Sequence, residues 1–303
     1  MILESHKLKK SYRDKGRLIS AVHDVSLRIA AGEVAAFLGP NGAGKTTTIK
    51  IIAGLLRPDE GWVRICDRNP HKNQSALKLL GAVLEGNRNL YWRLTPAENL
   101  EYFGVLRGLS PRIVQQRSHV LLERFNLAHK AQTIVGALSR GMQQKVAIMV
   151  ALIHQPRLLL LDEPTLGLDV EATEEVKQLV REIASQGCAI LLTTHQLAIA
   201  EELADRIAII NQGKVIMEQA THDLIRQFSG SAYQIELEVS LDPARRLKLE
   251  NLGTDIETET KLRVSNLAAL YQVLALLKPL PVLRIQKEEA NLTDIFLKLV
   301  REQ

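Results

Sequence analysis

The stretch Gly39-Pro40-Asn41-Gly42-Ala43-Gly44-Lys45-Thr46 decides the reading of this chain, because it fits the phosphate-binding loop pattern G-x-x-x-x-G-K-[ST] at every position. The Val-Ala-Ala-Phe-Leu run before it, residues 34–38, reads as a buried strand, and a helix is expected to begin near Thr46. Glycines in such a strand-to-helix turn permit backbone conformations that aim successive N–H groups inward at phosphate oxygens. The loop is an anion cradle. Lys45 reaches the outer phosphates of a nucleoside triphosphate as a point charge, Thr46 offers a hydroxyl to Mg2+, and the positive end of the helix points at the same place.

Three more segments converge on that chemistry. Leu158-Leu159-Leu160-Leu161-Asp162-Glu163 reads as a buried parallel strand ending in two carboxylates. Strand ends of this kind collect at the sheet edge where α/β proteins bind ligands. Asp162 is placed to hold Mg2+ directly or through water, and Glu163 to orient and polarise an attacking water. The apolar residues 189–192 lead into Thr193-Thr194-His195 and bring an imidazole to the same edge. His195 there can bond a terminal phosphate oxygen; the competing reading is a purely structural histidine. Leu138-Ser139-Arg140-Gly141-Met142 opens a helix with Ser139 as its N-cap. That terminus reads either as an ordinary capped helix or as a second anion site, through which another copy of the chain presents Ser139 and Gly141 to the far side of the nucleotide.

Composition narrows the setting. At 303 residues the chain is long enough for two domains, and its apolar content of 46% is that of a globular protein. The longest apolar runs, such as residues 146–153, fall well short of the roughly 18 needed to span a bilayer. Lys7, Lys9 and Lys10 near the N-terminus have no apolar stretch behind them, so a secretory signal is not expected and the cytosol is. Cys66 and Cys188, both in apolar strand-like segments, are expected to be buried thiols. The net charge is +5, with ten Lys or Arg against eleven Asp or Glu from Ser231 onward. Basic residues dispersed among acidic neighbours read as a solvated surface, and no nucleic-acid partner is expected.

In their order these segments resemble the nucleotide-binding subunit of an ATP-binding cassette (ABC) transporter over residues 3–225. Tyr12 sits where family members stack an aromatic on adenine, and Gly39 to Thr47 match the Walker A loop, which adds Thr47 to the nucleotide-binding set. Ser139 and Gly141 match the signature motif, Asp162 and Glu163 the Walker B strand and its catalytic Glu, residues 166–169 the D-loop, and His195 the switch His. The resemblance implies an ATPase using ATP and Mg2+. It also implies two cassettes packed head to tail, each ATP held between one Walker A loop and the opposite signature helix. A separate transmembrane permease would be the partner, with the chain on the cytoplasmic face of the membrane and not inserted in it. Three positions depart from the common pattern: Arg140 replaces a Gly, Met142 a Gln, and Glu85 stands where a Gln meets Mg2+ and the permease. A carboxylate still offers oxygen to a hard cation, so Glu85 remains a candidate metal ligand beside Thr46 and Asp162. With residues 90–96 these departures resemble drug exporters of the daunorubicin-resistance type.

The fold class implied is α/β: a phosphate-loop NTPase core with a small antiparallel β portion and a helical subdomain at 95–153, followed by a small α+β domain. The period-two pattern of residues 19–29 reads as a strand of the β portion, and Thr95-Pro96-Ala97-Glu98 as a helix start. Tyr91 and Trp92 read equally as lining for a permease helix and as core. The domains are assigned to 1–228 and 229–303, with a linker at Ser229-Gly230-Ser231. Beyond it, strands are expected at 233–239, around 256–264 and at 282–285, and helices from Pro243, over 267–277 and from Leu292. No catalytic constellation lies there, so this part reads as a regulatory or dimer-contacting element, or as a brace. The competing function is a soluble ABC protein of assembly or nucleic-acid transactions; a single cassette without cysteine clusters or a long heptad insertion speaks against it. A non-catalytic nucleotide sensor is disfavoured because Lys45, Glu163 and His195 are all present.

Overall fold

A computed structural model of the chain describes residues 1–14, 17–85, 90–229, 231–288 and 290–301. Two compact units separate, Met1–Thr221 and His222 onward. In the first, β1 (Leu3–Asp14), β2 (Arg17–Ile29), β3 (Val34–Leu38), α1 (Lys45–Ile52), β4 (Glu60–Ile65), α2 (Gln74–Leu77) and β5 (Leu80–Val83) follow in turn. Next come α3 (Pro96–Leu106), α4 (Pro111–Arg124), α5 (Arg140–Leu152), β6 (Leu158–Asp162), α6 (Val170–Ser185) and β7 (Ala189–Thr194). The last elements before the division are α7 (Leu197–Leu203), β8 (Arg206–Asn211) and β9 (Lys214–Ala220), and α8 (Thr221–Phe228) starts at it.

A nine-stranded sheet carries this unit in the order β4-β1-β2-β9-β8-β3-β7-β6-β5. Its parallel part, β8-β3-β7-β6-β5, is built from strands such as Leu158–Asp162, buried at every position. A strand covered on both faces has no reason to alternate, which is why β6 reads as an unbroken apolar run. Strands β4, β1 and β2 pair antiparallel as the small β portion, and β2 joins β9 at Asp24 opposite Lys214. The register does the positioning. Leu38 lies opposite Thr194 and Asp162 opposite Thr193, so β3, β6 and β7 end level at one edge. Val83 lies opposite Leu161, and Glu85, two residues past that pair, falls at the same edge.

The helical segment begins where its residues require. Thr95 caps α3 by accepting from the Glu98 N–H, while the Glu98 carboxylate accepts from the Thr95 N–H at 2.7 Å, so two orphan donors are satisfied reciprocally. Tyr91 and Trp92 are half-exposed, and the Tyr91 hydroxyl lies 3.1 Å from that of Tyr102. They are surface rather than core.

The second unit holds β10 (Tyr233–Leu237), α9 (Pro243–Asn251), β11 (Asp255–Ile256), β12 (Lys261–Val264), α10 (Leu267–Leu277), β13 (Val282–Lys287) and α11 (Leu292–Arg301). Its antiparallel sheet runs β11-β12-β10-β13 and buries Ile235, Leu237, Leu262 and Val264 with Leu249, Val273 and Leu277 of the helices. The strand expected at 233–239 is two residues shorter and the one expected at 282–285 two longer. Ser229 and Ser231, read as linker, are both hydrogen-bonded, Ser229 Oγ to Ile225 O and Ser231 Oγ to Ser265 O; Gly230 lies outside the described residues. Both cysteines are free, but only Cys188 is a buried thiol, its pKa pushed up to about 11 by burial. Cys66 is half-buried in the turn after β4 with a φ of +45°, so the strand expected around it ends one residue earlier.

Each unit thus has its own apolar cluster. A chain ending at Phe228 is therefore expected to melt in one cooperative transition followed by circular dichroism; a broad, non-cooperative melt would show that the cassette needs the rest of the chain to fold.

Candidate active site

The phosphate loop connects β3 to α1, and its glycines take the conformations the motif demands. Gly42 has φ +81° and Gly44 φ +107°, in the left-handed region that side chains disfavour. Space is as restrictive as the torsion at Gly44, where a Cβ would collide with the carbonyl oxygen of Ala21 on β2. The loop is held from outside as well, Gly213 N–H donating to Ala43 O at 2.9 Å.

Lys45, only 9% exposed, folds back over the loop and donates from Nζ to Gly39 O at 2.6 Å and Pro40 O at 3.1 Å. Burial lowers its pKa, and the charges of Glu163, Asp162 and Glu85 pull the other way. Those four ionisable groups therefore share one electrostatic neighbourhood, as the strand register requires. Thr46 and Thr47 sit half-buried in the first turn of α1, and Asn41 is exposed on the loop. Tyr12 is 41% exposed and pairs with Ile19 on β2, two residues along that strand from the Ala21 whose carbonyl covers Gly44.

Asp162 is 4% exposed and accepts a short hydrogen bond from the Thr193 hydroxyl through Oδ1. Its Oδ2 is buried with no hydrogen-bond partner. Glu163 leaves the strand with φ +51°, its N–H donating to Thr193 O at 3.0 Å, and its Oε1 lies 2.9 Å from His195 Nδ1. Its Oε2 is the second buried oxygen without a partner. Burying an unsatisfied carboxylate oxygen costs on the order of 1–3 kcal/mol, which a cation or water bound at either oxygen would offset. Among the described residues no group of three His, Cys, Asp or Glu gathers to cage a metal. Mg2+ fits this donor set in another way, because it is held by one or two carboxylates together with substrate phosphates and waters. Asp162 Oδ2 is the open position for it, with Thr46 and Glu85 the further candidates.

The signature segment behaves differently. Ser139 caps α5, accepting from Met142 N–H at 3.3 Å, and is exposed. No hydrogen bond joins it to the phosphate loop of the same chain among the described residues. Gly141 is buried where α5 meets α6, since a Cβ there would stand 2.6 Å from Ala172 Cβ. Arg140 turns back over the loop after Glu163: its Nη1 lies 2.6 Å from where a Cβ on Gly167 would be. It lines a cleft of about 290 Å³ together with Glu85, Asp162, Glu163 and Leu166. Two partners escaped the sequence reading, Thr193 on Asp162 and the Thr165 hydroxyl, which donates to Gln196 Oε1 at 3.0 Å and ties the segment after Glu163 to the one after His195. The register of β7 against β6 is the signal that finds Thr193, because it sets that residue directly opposite Asp162.

A phosphate loop, a strand-end carboxylate pair and a histidine on the second carboxylate define a nucleotide-hydrolysing site. The family model described as ABC transporter matches residues 22–166. The ABC transporter ATP-binding protein NatA of Bacillus subtilis (strain 168) is 38% identical over 71% of this chain and 88% of its own length. The daunorubicin resistance ATP-binding protein DrrA3 of Streptomyces coeruleorubidus is 36% identical over 84% and 79%. The Nod factor export ATP-binding protein I of Burkholderia orbicola (strain AU 1054) is 35% identical over 98% and 96%. A solved dimeric ATP-binding cassette in a post-hydrolysis state, bound to ADP and Pi, superposes with a TM-score of 0.65 at 29% identity, over 73% of this chain and 99% of that one. The chain belongs to the ATP-binding subunits of ABC transporters and is an ATPase.

The crowding at Gly44 sets an expectation. Gly44→Ala should weaken binding of a fluorescent ATP analogue at least tenfold while leaving the melting temperature of the second unit unmoved, and unchanged affinity would show that the loop has room that its geometry denies.

Proposed function

We propose that two copies of this chain close head to tail around two ATP molecules and that the closure drives a separate transmembrane permease in export. The observation that carries the reading is the pair of buried, unpartnered carboxylate oxygens, Asp162 Oδ2 and Glu163 Oε2, facing the neighbourhood of Lys45. In it, Lys45 exchanges the carbonyls of Gly39 and Pro40 for β- and γ-phosphate oxygens, and the loop N–H groups complete the cradle. Tyr12 stacks on adenine, and Thr47 extends the contacts of Thr46. Mg2+, held by Asp162 with Thr46 and Glu85, neutralises charge on the phosphates when bound. Glu163 takes a proton of the attacking water on Oε2, because Oε1 is occupied by His195 Nδ1–H. His195, 51% exposed, keeps the other face of its ring for the terminal phosphate. Ser139 and Gly141 of one copy meet the γ-phosphate on the other, which accounts for a cap residue left exposed and unattached to its own loop.

Export rests on the relatives. The Nod factor export protein matches almost the whole chain, second unit included, and the daunorubicin resistance protein most of it, so we assign this chain to exporters of drugs or other small molecules. The described residues contain no helix long and apolar enough to cross a membrane, in keeping with a separate permease and a position on the cytoplasmic face. The half-exposed Tyr91 and Trp92 beside Tyr102 offer that permease an aromatic surface. All of these residues lie before Thr221, within the first compact unit.

Two substitutions test the chemistry. Glu163→Gln should retain ATP binding, lose hydrolysis by about a hundredfold or more and accumulate as an ATP-bound dimer on gel filtration. Lys45→Ala should lose ATP binding itself, seen by equilibrium dialysis. Equal turnover by Glu163→Gln and wild type would remove Glu163 from the reaction.

A further inference from the structure

Arg140 stands at the first position of α5, where a positive charge opposes the helix macrodipole, and the first turn contains no acidic residue to offset it. It forms no hydrogen bond or ion pair among the described residues. What it does have is a surface and a field. Its guanidinium lies over Gly167, which has φ +73° and no side chain to obstruct it, and it shares a cleft with the carboxylates of Asp162, Glu163 and Glu85. The next residue of α5 makes a contact of its own: Gly141 packs on Ala172 of α6, whose N–H is held by the cap residue Asp169 through Oδ1 at 2.8 Å. The Leu166–Asp169 segment is thereby gripped from one side by its own helix cap and from the other by Arg140.

We propose that Arg140 is a positioning residue that clasps Leu166–Asp169 to the signature segment within one chain, so that contact of Ser139 and Gly141 with the second copy's nucleotide sets the segment that follows this chain's own Glu163. The segment leaves Glu163 directly, Leu166 N–H donating to Glu163 O at 3.2 Å, so its placement bears on where Oε2 points. The guanidinium's planar face suits a glycine backbone, which puts no side chain in its way. Arg140 need not touch phosphate for this. The inference rests on the reading of Glu163 as the residue that accepts the water's proton.

The test is a double-mutant cycle on ATP hydrolysis by the full chain, with Arg140→Gly, Gly167→Ala and both together, each first shown by thermal melt to be folded. Arg140→Gly should lower kcat about fivefold with KM for ATP unchanged, since a misplaced segment impairs the reaction and not the cradle. Gly167→Ala strains the same segment and pushes on the guanidinium, so adding Arg140→Gly to it should not lower kcat further. Multiplying losses in the double variant would overturn the inference, as would a raised KM at unchanged kcat, which would make Arg140 a nucleotide contact. Were Glu163→Gln as active as wild type, the functional reading would fall whatever the cycle gives; multiplying losses beside an inactive Glu163→Gln would sink the clasp alone.

Discussion

Everything at the site depends on the register of three buried parallel strands. Leu38 beside Thr194 and Asp162 beside Thr193 mean that β3, β6 and β7 deliver a phosphate loop, a carboxylate pair and a histidine to one level. A slip of one residue in any of them would move a carboxylate by about 3.3 Å along the strand and turn it to the opposite face of the sheet. Nothing in the loops can repair that. The apolar strands that look like the least specific part of the chain therefore hold the chemistry in place, because the pairing of β6 with β7 and of β7 with β3 fixes the level at which each one ends.

That dependence also explains what the sequence made legible. The phosphate loop is local: strand, glycines, Lys45 and helix are consecutive, so pattern alone reads it. Asp162, Glu163 and His195 were legible one step further out, because each terminates an apolar run and runs of that kind end at the ligand edge. Thr193 was not, since its role is to hold Asp162 across a strand pair, and the pairing exists only once the register is known. Cys66 was misplaced for the opposite reason, an apolar neighbourhood that continues past the end of β4 into a turn with a positive φ. The helix over 267–277 has in the structure the bounds expected from the sequence, and the side chain of Asn266 caps it.

Arg140 lies beyond both kinds of legibility. A long side chain at the start of a helix has rotamers that reach solvent, a neighbouring chain or its own chain, and nothing in the local sequence chooses. Its guanidinium lies over the space that Gly167 leaves empty, in a cleft that Asp162, Glu163 and Glu85 also line.

The state of the site without nucleotide follows from the same economy of polar groups. Lys45 is buried, and a buried ammonium without partners would lose its proton or unfold its surroundings. Here it is satisfied by the carbonyls of Gly39 and Pro40, which point inward because the glycines allow it, and it is favoured by three carboxylates nearby. Asp162 and Glu163 each keep one oxygen bonded and one open. Lys45 thus rests on neutral acceptors, and charged phosphate oxygens offer it stronger, charge-assisted hydrogen bonds.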